Sequence, residues 1–263
     1  MVNLNKKTVL ISNDDGYFSA GIEALISAFK ENYDVFVVAP EVEQSGKSHS
    51  FTFRSPLTYK KIERNDEIPC FSIDGSPADC VKVALAHLMP KIPDFVISGI
   101  NSGENIGIAV FYSGTCAAAR EAGFWRIPAV AFSLHYLQKG NMGGYGKPSL
   151  EIFEKLRANG FLDKVGKTIY NVNFPYLPLD EIKGVKIVRQ SLAYYKDGYV
   201  TEYGETGGKI SLQANDDGMA ETETDGETFD IAASFAGYAT ITPILLDTTD
   251  GETLEELRKA WRC

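Results

Sequence analysis

The sequence predicts an α/β fold, a mostly parallel sheet with helices packed on its faces. Three observations predict it. Short apolar runs recur without strict alternation, as strands covered on both faces do. Amphipathic helical stretches separate these runs. The segment from Thr8 to Pro40 then reads strand, helix, strand, and a right-handed crossover makes its two strands parallel. The carboxyl ends of such strands share one edge, where open α/β sheets take their ligands.

At 263 residues the chain is long enough to bury a sizeable core as one large domain. The expected organisation is a single α/β domain over 1–263, with a core of about 1–190 plus 229–246, a projecting β-hairpin at 194–213 and a C-terminal helix at 253–262. Apolar residues at 44% and charged residues at 23% describe an ordinary globular protein. A net charge of -9 excludes sequence-independent binding to long nucleic acid, which needs a basic surface to displace counterions. Small phosphorylated ligands remain compatible with it. The N-terminus has no apolar signal core and no run is long enough to span a bilayer, so no membrane association and a cytoplasmic location are expected. Cys70, Cys80, Cys116 and Cys263 form no C-x-x-C pair, which speaks for reduced thiols rather than zinc or disulfides.

The first strand, Thr8 to Ser12, runs into Asn13-Asp14-Asp15-Gly16. Two adjacent carboxylates at a strand exit repel unless a proton or a cation intervenes. Hard oxygen ligands suit Mg²⁺ or Mn²⁺, but either Asp is equally a candidate cap for the helix that follows. That helix puts Ile22, Leu25, Ile26 and Phe29 on one face. Tyr33 to Pro40 is the second strand, and the polar loop Glu41 to Ser50 leaves it at the edge already occupied by Asp14 and Asp15. Ser45 is a candidate ligand there, while Lys47 and His49 are candidates to meet a phosphate. A solvated surface loop is the alternative.

Phe51 to Ile62 reads as an extended excursion and Cys70 to Asp74 as a short strand. Ser76-Pro77 opens a helix expected to run through Leu88, with His87 as a structural or surface histidine. Pro93 to Ser98 is a core strand, followed by what reads as a turn-rich loop, Gly99 to Gly107. Its Asn101 and Asn105 offer amide oxygen to a metal or an amide donor to a phosphate. Tyr112-Ser113-Gly114-Thr115 then opens an Ala-rich helix from Cys116. Its first turn is a ready anion site, although Ser113 is also a plain N-cap.

Further strands are expected at Pro128 to Leu134, Val165 to Phe174, Val185 to Gln190 and Tyr238 to Leu246, and helices at Ser149 to Asn159 and Asp230 to Phe235. A Gly-rich loop is expected from Gln138 to Pro148. Tyr194 to Tyr203 and Gly208 to Gln213 form a hairpin whose Tyr194, Tyr195, Tyr199 and Tyr203 suit a subunit contact. Asn-Asp-Asp-Gly recurs at 215–218, but with no strand before it, no helix after it and acids around it; it reads as a solvated loop.

Six stretches in order carry a family likeness: Ser12 to Gly16; Ala39-Pro40 with Ser45-Gly46-Lys47-Ser48; Gly75 to Val81; Ser98 to Asn101 with Asn105; Tyr112 to Thr115; and Gly237-Tyr238 with Ile241-Thr242-Pro243. Through them nearly the whole chain resembles the SurE family, metal-dependent nucleoside monophosphate phosphatases. The resemblance implies a Rossmann-like core and one divalent metal ion per subunit, Mg²⁺ or Mn²⁺, bound by Asp14, Asp15, Ser45 and Asn101. It implies that Asn105, Ser113, Gly114 and Thr115 surround the substrate phosphate. It further implies a homodimer or homotetramer that uses the hairpin and an exchanged C-terminal segment.

The activity expected is hydrolysis of a nucleoside 5′- or 3′-monophosphate by metal-activated water, with Asp14 and Asp15 as catalytic residues and His49 or a water as proton donor to the leaving group. Two rivals are an aspartyl-phosphate on Asp14 or Asp15 and a sensor that binds nucleotide without turnover. Plain dinucleotide binding fits poorly, because carboxylates stand where a pyrophosphate would sit.

Overall fold

A computed structural model describes residues 6–192, 194–195, 198–204, 206–213, 219–220 and 228–261. The chain opens with β1 (Thr8–Ser12), α1 (Ala20–Phe29) and β2 (Asp34–Pro40), then β3 (Tyr59–Ile62), β4 (Cys70–Ile73) and α2 (Pro77–Val83). Next come β5 (Phe95–Ser102), a short α3 (Ala109–Tyr112), α4 (Gly114–Phe124), β6 (Ala129–Leu134), α5 (Gly146–Ala158), β7 (Thr168–Phe174) and β8 (Val185–Ile187). Short strands β9 (Tyr194–Tyr195), β10 (Gly198–Tyr203), β11 (Gly208–Gln213) and β12 (Met219–Ala220) precede α6 (Asp230–Phe235), β13 (Ala239–Leu245) and α7 (Gly251–Trp261).

Nine strands form one sheet in the order β3-β4-β2-β1-β5-β6-β7-β13-β8. The pairs from β4 through β7 are parallel, while β3 joins β4 and β13 joins β7 antiparallel. All of β1 is buried, as an interior parallel strand must be. Its side chains alternate between two cores. Val9 and Ile11 join α1 and α5 through Ile22, Leu25, Phe29 and Phe153. Leu10 joins α2 and α4 through Cys80, Val81, Cys116 and Ala118. Small side chains let backbones close up: a Cβ on Gly21 of α1 would stand 1.9 Å from the Ile100 carbonyl oxygen.

Three expectations need correction. The third core strand does not stop at Ser98. It runs on to Ser102, shifting register against β6 between Ser98 and Asn101, and Gly99 takes φ +123° there, a conformation open to glycine. The α2 helix does not reach Leu88 as one α-helix, because Ala84–Leu88 widens into a π-turn. The expected Gly-rich loop is a set of 3₁₀ turns over Tyr136–Tyr145, and α5 starts at Gly146 rather than Ser149.

β10 and β11 form the expected hairpin, with Tyr199 and Tyr203 exposed. The side chains of Tyr194 and Tyr195, and the second Asn-Asp-Asp-Gly at 215–218, lie outside the described residues. Among the described residues no helix is long and apolar enough to cross a membrane.

Candidate active site

The strand exit at Asn13 settles which side chain does what. Asn13 closes the turn itself: Nδ2 donates to the Gly16 carbonyl at 3.0 Å and to Ser19 Oγ at 2.7 Å, and Oδ1 accepts from the Gly16 amide at 3.2 Å. Ser19 caps α1, accepting from the Ile22 amide. Neither aspartate caps that helix, so both carboxylates are left for the carboxyl edge.

They reach different loops. Asp14 is buried and its Oδ1 accepts a hydrogen bond from Thr115 Oγ1, in the first turn of α4. Asp15 Oδ2 accepts from the Ser102 amide at 3.0 Å, at the end of β5. The Asp14 carbonyl accepts from the Gln44 amide at 2.7 Å, which draws in the loop after β2. Residues 14–15 thus join the exits of β1, β2 and β5 to the start of α4.

Burial, the largest effect, pushes both carboxyls up; the hydroxyl of Thr115 and the Gly114 and Thr115 amides oppose this at Asp14. Asp15 is pushed up to about 6, with the Asp14 and Glu43 charges adding to burial against the Ser102 hydrogen bond. Two crowded, desolvated carboxylates gain from a divalent cation between them. Among the described residues no three His, Cys, Asp or Glu side chains gather as a metal nest. A cation at this edge would therefore draw on two carboxylates and on neutral Ser and Asn oxygens. Such an all-oxygen set fits a hard cation.

The remaining expected residues are placed as follows. Ser45 lies on the exposed loop one residue past Gln44, its Oγ donating to Glu43 Oε1 at 2.7 Å. Asn101 Nδ2 donates to the Gly103 carbonyl at 2.6 Å, leaving its amide oxygen as the end for a cation. Ser113 is the N-cap of α4, accepting from the Cys116 amide at 3.0 Å. Gly114 packs so near the acid pair that a Cβ there would stand 2.8 Å from Asp14 Cβ. Asn105 is held from four sides: its amide donates to Asn173 Oδ1 at 2.7 Å, its Nδ2 to Ser133 Oγ at 2.8 Å, and its carbonyl accepts from Asn171 and Asn173. His49 Nε2 lies 3.0 Å from Glu121 Oε2, so that nitrogen is engaged by a buried carboxylate.

Sequence reasoning passed over several residues that hold these groups in place. Asn171 and Asn173 alternate along a buried strand, and that pattern was the available signal, since a core strand carries no amides without partners. Asp230 is fully buried and accepts from the amides of Gly107 at 3.0 Å, Ser191 at 2.9 Å and Ile231 at 2.9 Å. It ties the loop after β5 to α6. Glu121, a lone acid in an Ala-rich run, is the fourth.

Fold and edge together define a class: a doubly wound α/β protein whose carboxyl edge carries an acid pair, the buried Asp14 set against the first turn of a helix and the half-buried Asp15 beside it. A family model described as Survival protein SurE matches residues 9–197, and the chain belongs to this family. It is 36% identical over 254 residues to 5′-nucleotidase SurE of Symbiobacterium thermophilum, covering 95% of this chain and 97% of that one. It is 37% identical to the protein of the same name from Syntrophobacter fumaroxidans, covering 95% and 98%. The crystal structure of Sure protein from Aquifex aeolicus matches with a TM-score of 0.78 at 35% identity, covering 96% of this chain and 99% of that chain.

Proposed function

We propose that this chain is a metal-dependent 5′-nucleotidase, hydrolysing nucleoside 5′- or 3′-monophosphates to nucleoside and phosphate. The observation that carries the reading is the buried Asp14 carboxylate hydrogen-bonded to Thr115 at the start of α4. It puts an acid pair suited to a hard cation beside a helix end suited to a phosphate. The relatives named 5′-nucleotidase SurE support it.

Asp14, Asp15, Ser45 and Asn101 would hold one Mg²⁺ or Mn²⁺ ion per subunit. When bound, the ion supplies Lewis acidity at a phosphoryl oxygen and makes water a nucleophile at neutral pH. Ser113, Gly114 and Thr115 present the positive end of α4 to the phosphate, and Asn105 approaches from the loop after β5. Asp14 and Asp15 keep negative charge next to the reacting group, so substrate enters only where a cation offsets it. Asn13 and Ser19 keep both aspartates out of capping duty.

We further propose a cytoplasmic protein acting as a homodimer or homotetramer and as a single domain over 1–263. Buried free thiols at Cys70, Cys80 and Cys116 favour a reducing compartment. Exposed Tyr203 and Ile210 on the hairpin, and Leu257 and Trp261 on α7, favour a subunit contact through these two elements.

The test is phosphate release from a panel of nucleoside monophosphates and sugar phosphates. The reading expects release from the nucleotides and its abolition in Asp14→Asn. Nucleotide binding without release would make the chain a sensor instead, and a hydroxylamine-labile phosphoenzyme in rapid-quench labelling would move the nucleophile to a carboxylate.

A further inference from the structure

Helix α4 carries a second charged cluster, away from its first turn. Glu121 is buried, its side chain 3% exposed, with Oε2 3.0 Å from His49 Nε2. Its Oε1 accepts from Lys82 Nζ at 2.7 Å and from Trp125 Nε1 at 3.1 Å. One carboxylate therefore gathers donors from the loop after β2, from α2 and from the end of α4. Burial by itself would raise this carboxyl's pKa, but the hydrogen bonds from His49 and Lys82 hold it below the ordinary glutamate value.

The loop it grips is the one that carries Ser45. The His49 ring stacks on Phe124, with centroids 5.4 Å apart and planes 20° from parallel. Next to it, Ser48 sits at φ +56°, which a non-glycine residue holds only where its surroundings over-determine it. Its amide donates to the Tyr112 carbonyl at 2.9 Å and its Oγ to the Phe111 carbonyl at 2.6 Å. At the other end of the same stretch, the Gln44 amide is bound to the Asp14 carbonyl at 2.7 Å. Ser45, Gly46 and Lys47 alone span the two anchors, so the anchors decide where Ser45 stands.

We propose that Glu121 is a positioning residue of the candidate site: through His49 it clamps the end of the 44–50 loop onto α4, while Lys82 ties α2 to the same carboxylate, and this clamp helps to set where Ser45 stands. The inference rests on the reading of Ser45 as a cation ligand. An ion pair that merely stabilised the fold would lower Tm when broken and leave loop order and cation affinity alone. A clamp on a ligand-bearing loop would change both.

The experiment compares His49→Ala, His49→Gln and Glu121→Gln in the full chain. The His49 variants carry the test if Glu121→Gln fails to fold. Hydrogen exchange over 44–50 and Mn²⁺ titration by calorimetry are read beside kcat and KM. His49→Ala is expected to lose protection over 44–50 and to weaken Mn²⁺ binding about 10- to 100-fold, the usual cost of removing a group that orients a ligand. His49→Gln, which keeps an amide donor, is expected to restore most of both. A folded His49→Ala with wild-type exchange and wild-type Mn²⁺ affinity overturns the inference, and so does a wild-type chain that binds no Mn²⁺. A wild-type chain that binds Mn²⁺ but hydrolyses no nucleotide would sink the nucleotidase reading alone, and the exchange and titration arms would still decide the clamp.

Discussion

Gly114→Ala is a sharp perturbation of the candidate site, because one methyl group enters where helix and acid pair meet. Gly114 is not at positive φ, so the backbone accepts alanine. Space is what fails. The added Cβ would stand 2.8 Å from Asp14 Cβ, 2.8 Å from Pro77 Cγ and 3.0 Å from Asp14 Oδ2. Carbon pairs rest at about 3.5–4.0 Å, so Asp14 and α4 must separate by roughly 1 Å. A displacement of that size at reacting groups costs about 100-fold in rate, while overpacking costs about 1–3 kcal/mol of stability. The assay is phosphate release with kcat and KM determined separately, beside a thermal melt. Gly140→Ala serves as control, since a Cβ at Gly140 meets nothing within 4 Å. A folded Gly114→Ala chain with the control's kcat/KM would refute the claim that Asp14 works against the start of α4.

Two other outcomes follow from the same physics. In Gly21→Ala the new Cβ would lie 1.9 Å from the Ile100 carbonyl oxygen; backbone cannot yield cheaply there, and urea denaturation should show a loss of about 3 kcal/mol or more, whereas a wild-type midpoint would contradict the packing of α1 on β5. For Glu121, a lowered carboxyl pKa means stabilisation that is fully present above the unfolded value of about 4.3 and lost as pH falls through the folded one. The stability gap between wild type and Glu121→Gln should therefore be full at neutral pH and close in acid, and a gap that widens in acid would contradict the cluster.

Much of this was readable in the residues because local pattern and burial agree. Thr8 to Ser12, with its apolar centre Val9-Leu10-Ile11, had to be an interior strand, and Ile22, Leu25, Ile26 and Phe29 had to cover it. Asp14 and Asp15 could be placed at the carboxyl edge, and the family likeness made them metal ligands, but local pattern alone left capping open. Capping falls to Asn13 and Ser19, whose short-range hydrogen bonds take over the turn and the cap. The end of β5 was misread because Gly99 and Asn101 carry turn chemistry, while pairing with β6 overrides local propensity. Glu121 and Asp230 were passed over for a different reason. A buried acid is intelligible only through donors far off in sequence: Lys82 and His49 for one, Gly107 and Ser191 for the other.

The central claim is that the acid pair at the β1 exit acts through a divalent cation on a nucleoside monophosphate held at the start of α4. Its most direct test is phosphate release by the purified chain after EDTA stripping, then after adding back Mn²⁺ or Mg²⁺. The account predicts that stripping abolishes release and that either ion restores it in wild type but not in Asp14→Asn. Release that persists undiminished in the stripped protein would contradict it.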